Sequence, residues 1–193
     1  MKDEIKFDET VLLLDAAYLD RVVGDLSKHF SKVLERTLPK SDLPLLLECI
    51  ALDAGVTLGK NALQVIFLYD AESKLMKNIQ PMDFEKELHG MAFQSQLGEF
   101  TLSAFDATEL ASREALFLET VSLLEESADA KRLVLVPSEE EYGELLPAVL
   151  NKMEKKEKIV LLGMNPLSDV ISFEWEMLGY AILQSLGVKA DEI

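Results

Sequence analysis

The chain has 193 residues, of which 49% are hydrophobic and 28% charged, a length and composition suited to one compact domain with its own core and not to a disordered tail or a disulfide scaffold. Nineteen Lys and Arg stand against 35 Asp and Glu, a formal net charge of −16, so phosphate backbones and anionic lipids are repelled at long range and weak or no nucleic-acid binding is expected. Cys49 is the one cysteine, so no disulfide can form within the chain, which suits a reducing compartment.

Met1–Thr10 is charged and lacks the apolar stretch of a signal peptide, and no apolar run is long enough to span a membrane. A cytoplasmic protein without membrane contact is the expectation.

Val11–Leu14 is apolar throughout and ends at Asp15, predicting a buried strand. Tyr18, Val22, Leu26, Phe30, Val33 and Leu34 follow at spacings of three and four, which predicts a helix with one apolar face. Leu38-Pro39 ends it. Ser41 is placed to cap a second helix through Leu46, Cys49, Ile50 and Asp53, with Pro44 in its first turn. Gly55, Gly59 and Asn61 predict a loop. Leu63–Tyr69 is the second predicted strand, ending at Asp70. Beyond Pro81, the spacing of Phe84, Leu88 and Met91 predicts a short helix.

Glu99–Phe105 is the third strand, ending at Asp106, and a helix is predicted from about Thr108 to Glu126. Its apolar face includes Ala115, Leu118, Ser122 and Leu123, with Phe117, Val121 and Leu124 beside them. Leu133–Val136 is the fourth strand and Ile159–Leu162 the fifth, with a helix reaching about Met153 between them. A last helix runs from about Phe173 to Leu186, with Gly187 as its stop. Short apolar strands alternating with helices predict an α/β fold: a three-layer sandwich around a mainly parallel five-stranded sheet in the order 3-2-1-4-5. Leu12, Leu14, Val65, Phe67, Val134, Leu135 and Val160 form its expected core.

In such a sheet the strand C-termini share one edge, and ligands bind there at the point where strand order reverses. Asp15, Asp70 and Asp106 each follow a strand directly, and Glu139, Glu140 and Glu141 come shortly after the fourth. With 35 acidic residues in 193, chance would place fewer than one at the four corresponding positions. Two readings stand side by side: helix caps and turns, which favour Asp, or a shared acidic site able to hold a hard cation. Other chemistries lack parts: there are two histidines, no zinc spacing, no phosphate-binding glycine loop and no nucleophile elbow.

Val11-Leu-Leu-Leu-Asp15 followed by Ala16-Ala17-Tyr18-Leu19 resembles the opening of the PIN-like nuclease superfamily, its NYN branch in particular. Val134-Leu-Val136-Pro137-Ser138-Glu139-Glu140-Glu141-Tyr142 is similar to that family's strand and serine-glycine-aspartate-x-aspartate-phenylalanine turn, and Glu114 falls near its helix acid. Glu139 and Glu141 stand where two aspartates belong, Tyr142 where phenylalanine belongs, and Pro137-Ser138 replaces Ser-Gly.

The resemblance implies a single Rossmannoid domain over residues 1–193, with a PIN-like core over about 10–164 and a helical extension over about 165–193. It is that of a divergent member, expected to fall in a bacterial family of unknown function. It implies Asp15, Glu114, Glu139 and Glu141 as catalytic residues. Asp15, Glu139 and Asp106 are implied as ligands for Mg²⁺ or Mn²⁺. Two functions follow: a catalytically silent PIN-like module that binds a protein partner, or a metal-dependent ribonuclease or phosphodiesterase. The silent module is favoured by the Glu-for-Asp changes, the net charge and the sparse basic residues. A faint basic stripe, Arg21, Lys28, Lys32 and Arg36, speaks for the nuclease. A Rossmann-like or receiver-like domain is a third reading, although Gly163-Met164-Asn165-Pro166 offers no receiver lysine. The apolar last helix, with Trp175, Met177, Leu178, Tyr180, Ile182 and Leu183, is expected to cover the sheet edge or form a homodimer contact.

Overall fold

The computed structural model describes residues 6–109, 112–167 and 172–193. In chain order the elements are β1 (Thr10–Asp15), α1 (Ala16–Val33), β2 (Ser41–Asp42), α2 (Leu43–Asp53), β3 (Asn61–Tyr69), β4 (Ile79–Gln80), a π-helical turn (Phe84–Leu88), β5 (Ala92–Gln94) and β6 (Gly98–Asp106). They continue with α3 (Arg113–Glu126), β7 (Arg132–Val136), α4 (Leu146–Leu150), β8 (Lys158–Gly163), β9 (Glu174–Met177) and α5 (Leu178–Ser185).

The main sheet runs β5-β6-β3-β1-β7-β8-β9, and β2 and β4 form a separate two-stranded pair. The five expected strands are adjacent, parallel and in the expected order. The sheet nevertheless has seven strands, not five, because each edge gains one. β5 is antiparallel to β6, and β9 is parallel to β8.

Alternate residues of each central strand feed two cores. Leu12, Leu14, Val65, Phe67, Val134, Val136, Val160 and Leu162 pack with α1, α2 and α5 on one face. Val11, Leu13, Ile66, Leu68, Leu133, Leu135, Ile159 and Leu161 pack with α3 and α4 on the other. Coverage on both faces is why these strands are apolar throughout. β6 departs from that rule. Phe100, Leu102 and Ala104 are buried, while Glu99 and Phe105 are exposed and Thr101 and Ser103 half-buried, since only one of its faces is roofed.

Several expected boundaries move, each for a local reason. Asp42, not Ser41, caps α2, accepting from the Leu45 amide at 2.9 Å. Ser41 is instead buried, its hydroxyl 2.6 Å from that of Ser185. Asn61 belongs to β3, not to the preceding loop. Met91, 54% exposed, is not part of the apolar set formed by Phe84 and Leu88. Ser112 caps α3, so residues 107–109 are not helical, and residues 110 and 111 of the expected helix lie outside the described ones. The buried stripe of α3 is Phe117, Val121 and Leu124, one position round from the expected face. The helix after β7 is reduced to α4, behind a single tight turn at Gly143–Leu145.

The C-terminal extension is not all helix: Glu174–Met177 forms β9 before α5 begins. Its residues 168–171 are outside the described set. α5 buries Leu178, Ala181, Ile182 and Leu183 against α2, α1 and β8, leaving Tyr180 exposed. Its apolar surface is thus used to cover the sheet. Gly187, at φ 75, stops it. No helix among the described residues is long and apolar enough to cross a membrane.

Phe67 is fully buried with its ring 5.3 Å from that of Phe84. Phe67→Ala should lower the unfolding free energy by about 3–5 kcal/mol in a urea titration, as large deletions in a packed core do.

Candidate functional site

Asp15 ends the central strand, and no part of it reaches solvent. Its Oδ1 accepts from the Tyr18 amide at 2.9 Å, so it caps α1. It does more than cap. Arg113 Nη1 donates to both carboxylate oxygens at 2.6 Å, and the Tyr142 hydroxyl donates to Oδ2 at 2.7 Å.

Arg113 is the centre of the arrangement. It is the first residue of α3, a position where the helix dipole disfavours a cation. Three carboxylates outweigh that. Nη1 binds Asp15, Nε binds Asp70 at 2.7 Å, and Nη2 binds both oxygens of Glu141 at 2.8 and 2.9 Å. All three nitrogens of the guanidinium are engaged, the forked geometry that favours arginine over lysine. Its side chain is 12% exposed. Desolvation lowers its pKa, but the carboxylates, Asp15 foremost, raise it by more. Burial and the Asp15 charge raise that of Tyr142, keeping its phenol a donor.

Glu139 belongs to a second network. Oε1 accepts from the Met164 and Asn165 amides at 2.9 and 3.1 Å, and Oε2 from the Tyr18 hydroxyl at 2.8 Å and Asn165 Nδ2 at 3.1 Å. It ties the loop after β8 to α1. Gly163 makes room for it: a Cβ there would collide with Oε1. Burial, then Glu139 itself, raises the Tyr18 pKa.

Of the residues expected to share one site, the fold therefore unites Asp15 and Glu141, with Asp70 added. Glu139 sits in its own cradle. Asp106, at the end of β6, accepts from the Thr108 amide at 2.8 Å and lies 3.8 Å from Lys74. Glu114 is exposed and makes no hydrogen bond or ion pair among the described residues; it lines a cleft of about 300 Å³ with Asp70, Arg113 and Glu141. Glu140 pairs with Arg21 at the surface, at 2.9 Å.

The residue that sequence reasoning missed is Arg113. Its one local signal is a cation immediately after a capping serine, where the dipole penalises it. The donor set as placed does not fit Mg²⁺ or Mn²⁺. Asp15 already accepts from an amide, a guanidinium and a phenol, and the oxygens of Glu139 are committed elsewhere. Among the described residues, no three His, Cys, Asp or Glu side chains are grouped to hold a metal ion. A hard cation would have to displace the guanidinium.

Arg113→Ala would leave Asp15 buried without its partner, and the unfolding free energy should fall by about 3–5 kcal/mol. Arg113→Lys should restore only part of it, because an ammonium cannot serve three carboxylates at once. The pH dependence has a definite sign. Burial raises the Asp70 pKa, but the Arg113 and Ser73 hydrogen bonds leave it lowered from its ordinary 3.8. Its contribution is therefore complete above that value and lost as pH falls through the folded one. Asp70→Asn should flatten the loss of stability below about pH 4, read from urea midpoints across pH.

Residues 4–193 match a family of unknown function, DUF6621. Neither the curated proteins nor the solved structures include a significant match. With nearly its whole length matched, the chain belongs to the DUF6621 family.

Proposed function

We propose that the chain is a catalytically silent, PIN-like α/β domain that acts as a binding module. One observation carries this reading: at the crevice where strand order reverses, Arg113 stands among Asp15, Asp70 and Glu141. A nuclease of this type needs strand-end carboxylates free to ligate a cation that activates water and neutralises the phosphoryl group. Here a fixed guanidinium occupies the oxygens that would ligate the cation, and it carries no water to activate.

The basic stripe supports the same reading, although the helix ends at Val33 and Arg36 lies beyond it. Arg21 is paired with Glu140 and Arg36 with Glu192, both at 2.9 Å. With its arginines neutralised, the stripe leaves Lys28 and Lys32 against a net charge of −16, a poor footing for RNA.

The reading is tested by titrating the protein with Mn²⁺ while following thermal unfolding, and by incubating it with single-stranded RNA. No rise in Tm and no cleavage are expected. A cation at a hundred times its Kd would add about 2.7 kcal/mol, or roughly 5–10 °C for a chain of this size. Such a rise, lost in Asp15→Asn and accompanied by Mn²⁺-dependent cleavage, would establish the nuclease instead.

A further inference from the structure

Parallel neighbours in a sheet are ordinarily joined by a crossover helix. The connection from β3 to β6 is different. From Asp70 to Met91 it holds only β4 and the five-residue turn Phe84–Leu88. Long irregular connections in compact domains are usually functional. This one is fastened firmly from below: Met76, Ile79, Phe84 and Leu88 are buried, and the Phe84 ring stacks on Tyr69 at 4.9 Å. Its outer side forms an open groove of about 720 Å³.

The groove has an apolar floor of Leu75, Met76 and Met82, and Leu75 is 48% exposed. Its rim carries Lys40, Lys74, Lys77 and Lys86. The carboxylates of the lining are Glu72, Asp83 and Glu85, and Asp106 lies 3.8 Å from Lys74 just outside it. Two of these are occupied: Glu85 lies 3.4 Å from Lys74, and Asp83 lies 3.8 Å from Lys86. Asp83 also caps the backbone amides of Glu85 and Lys86. Among the described residues, Lys40 and Lys77 have no carboxylate within ion-pair distance; Glu72 lies in the same lining, and Asp20 accepts from the Lys77 backbone amide at 2.9 Å.

An acidic protein thus presents an apolar trough with two lysines on its rim, Lys40 and Lys77, that form no ion pair among the described residues. We propose that this groove docks an acidic segment of a protein partner, one that alternates Asp or Glu with large apolar side chains. The floor takes the apolar side chains, and Lys40 and Lys77 take the carboxylates. A nucleic acid fits less well, because no aromatic ring lines the groove for bases to stack on. A second copy of the chain also fits less well. Two bodies of charge −16 repel each other as wholes, whereas a short segment brings few charges to the lysine rim. The proposal rests on the binding-module reading but not on the closed carboxylate site, so the Mn²⁺ titration and the experiment below fail separately.

The test uses the full chain and a fluorescein-labelled peptide of Leu, Phe, Asp and Glu, with binding followed by fluorescence anisotropy. Three competitors are a peptide with Leu and Phe replaced by Ser, a peptide with Asp and Glu replaced by Lys, and a single-stranded RNA of equal charge. Saturable binding is expected, weakening as salt rises from about 50 to 300 mM, because exposed charge pairs are screened. The double variant Lys40→Glu/Lys77→Glu should weaken binding about tenfold or more, and so should Leu75→Ser. All three positions are exposed, so unchanged thermal unfolding is expected to certify the variants; if the double reversal unfolds, Lys40→Gln/Lys77→Gln replaces it. The proposal is overturned by three results: no saturable binding, equal affinity in the variants, or competition by the serine peptide or the RNA as strong as that by the unlabelled peptide.

Discussion

A carboxylate that no solvent reaches has to be neutralised by the protein itself. Asp15 imposes that constraint on the whole molecule. It ends the central strand of the sheet, and its counter-ion is Arg113, ninety-eight residues further along the chain. Meeting it brings together the end of β1, the turn after β3, the start of α3 and the loop after β7. The same carboxylate accepts the Tyr18 amide and the Tyr142 hydroxyl, so the entries to α1 and to the loop before α4 are set by one side chain. Ion clusters of this kind add little net stability over a packed apolar alternative, but losing one member is costly.

The sheet around this point shows the same economy of coverage. Central strands are apolar on both faces because α1, α2 and α5 cover one and α3 and α4 the other. Toward the edges the cover thins, and polarity returns on the open face of β6. The edge strands are short, and β9 carries exposed Glu174 and Glu176, charges that discourage pairing with another chain. At the C-terminal edge Glu139 fastens the loop after β8 with three hydrogen bonds and ties it to α1 with a fourth, from Tyr18.

Two parts of the surface have opposite characters. The crevice at the strand ends is filled by the protein's own guanidinium and leaves little for a ligand to do. The groove over the β3–β6 connection is open, apolar at its base and basic at its rim. Under the proposals made above, a scaffold whose strand-end site is closed does its work from a neighbouring surface built by an unusual crossover.

How much of this was legible in the residues follows from the range of the forces involved. The five main strands and their buried positions are local matters of apolar runs and turn residues, and their order is the one expected from placing the Asp15 and Val136 strands side by side at the switch point. The edge strands were not legible. β5 has three residues, and the β9 residues Glu174–Met177 read equally well as the first turn of the helix that follows; only pairing with β8 decides. The acidic strand ends were visible, and half of their meaning was too, since Asp15 does cap α1. Whether those acids would meet one another, a metal or a cation of the chain was beyond the sequence. Charges at positions 15, 70, 113 and 141 become neighbours only when four separate segments are brought to one sheet edge. Sequence patterning thus determined the layers of this protein. Tertiary structure alone decided which carboxylates share a partner, because ion pairing acts through space over a few ångströms and not along the chain.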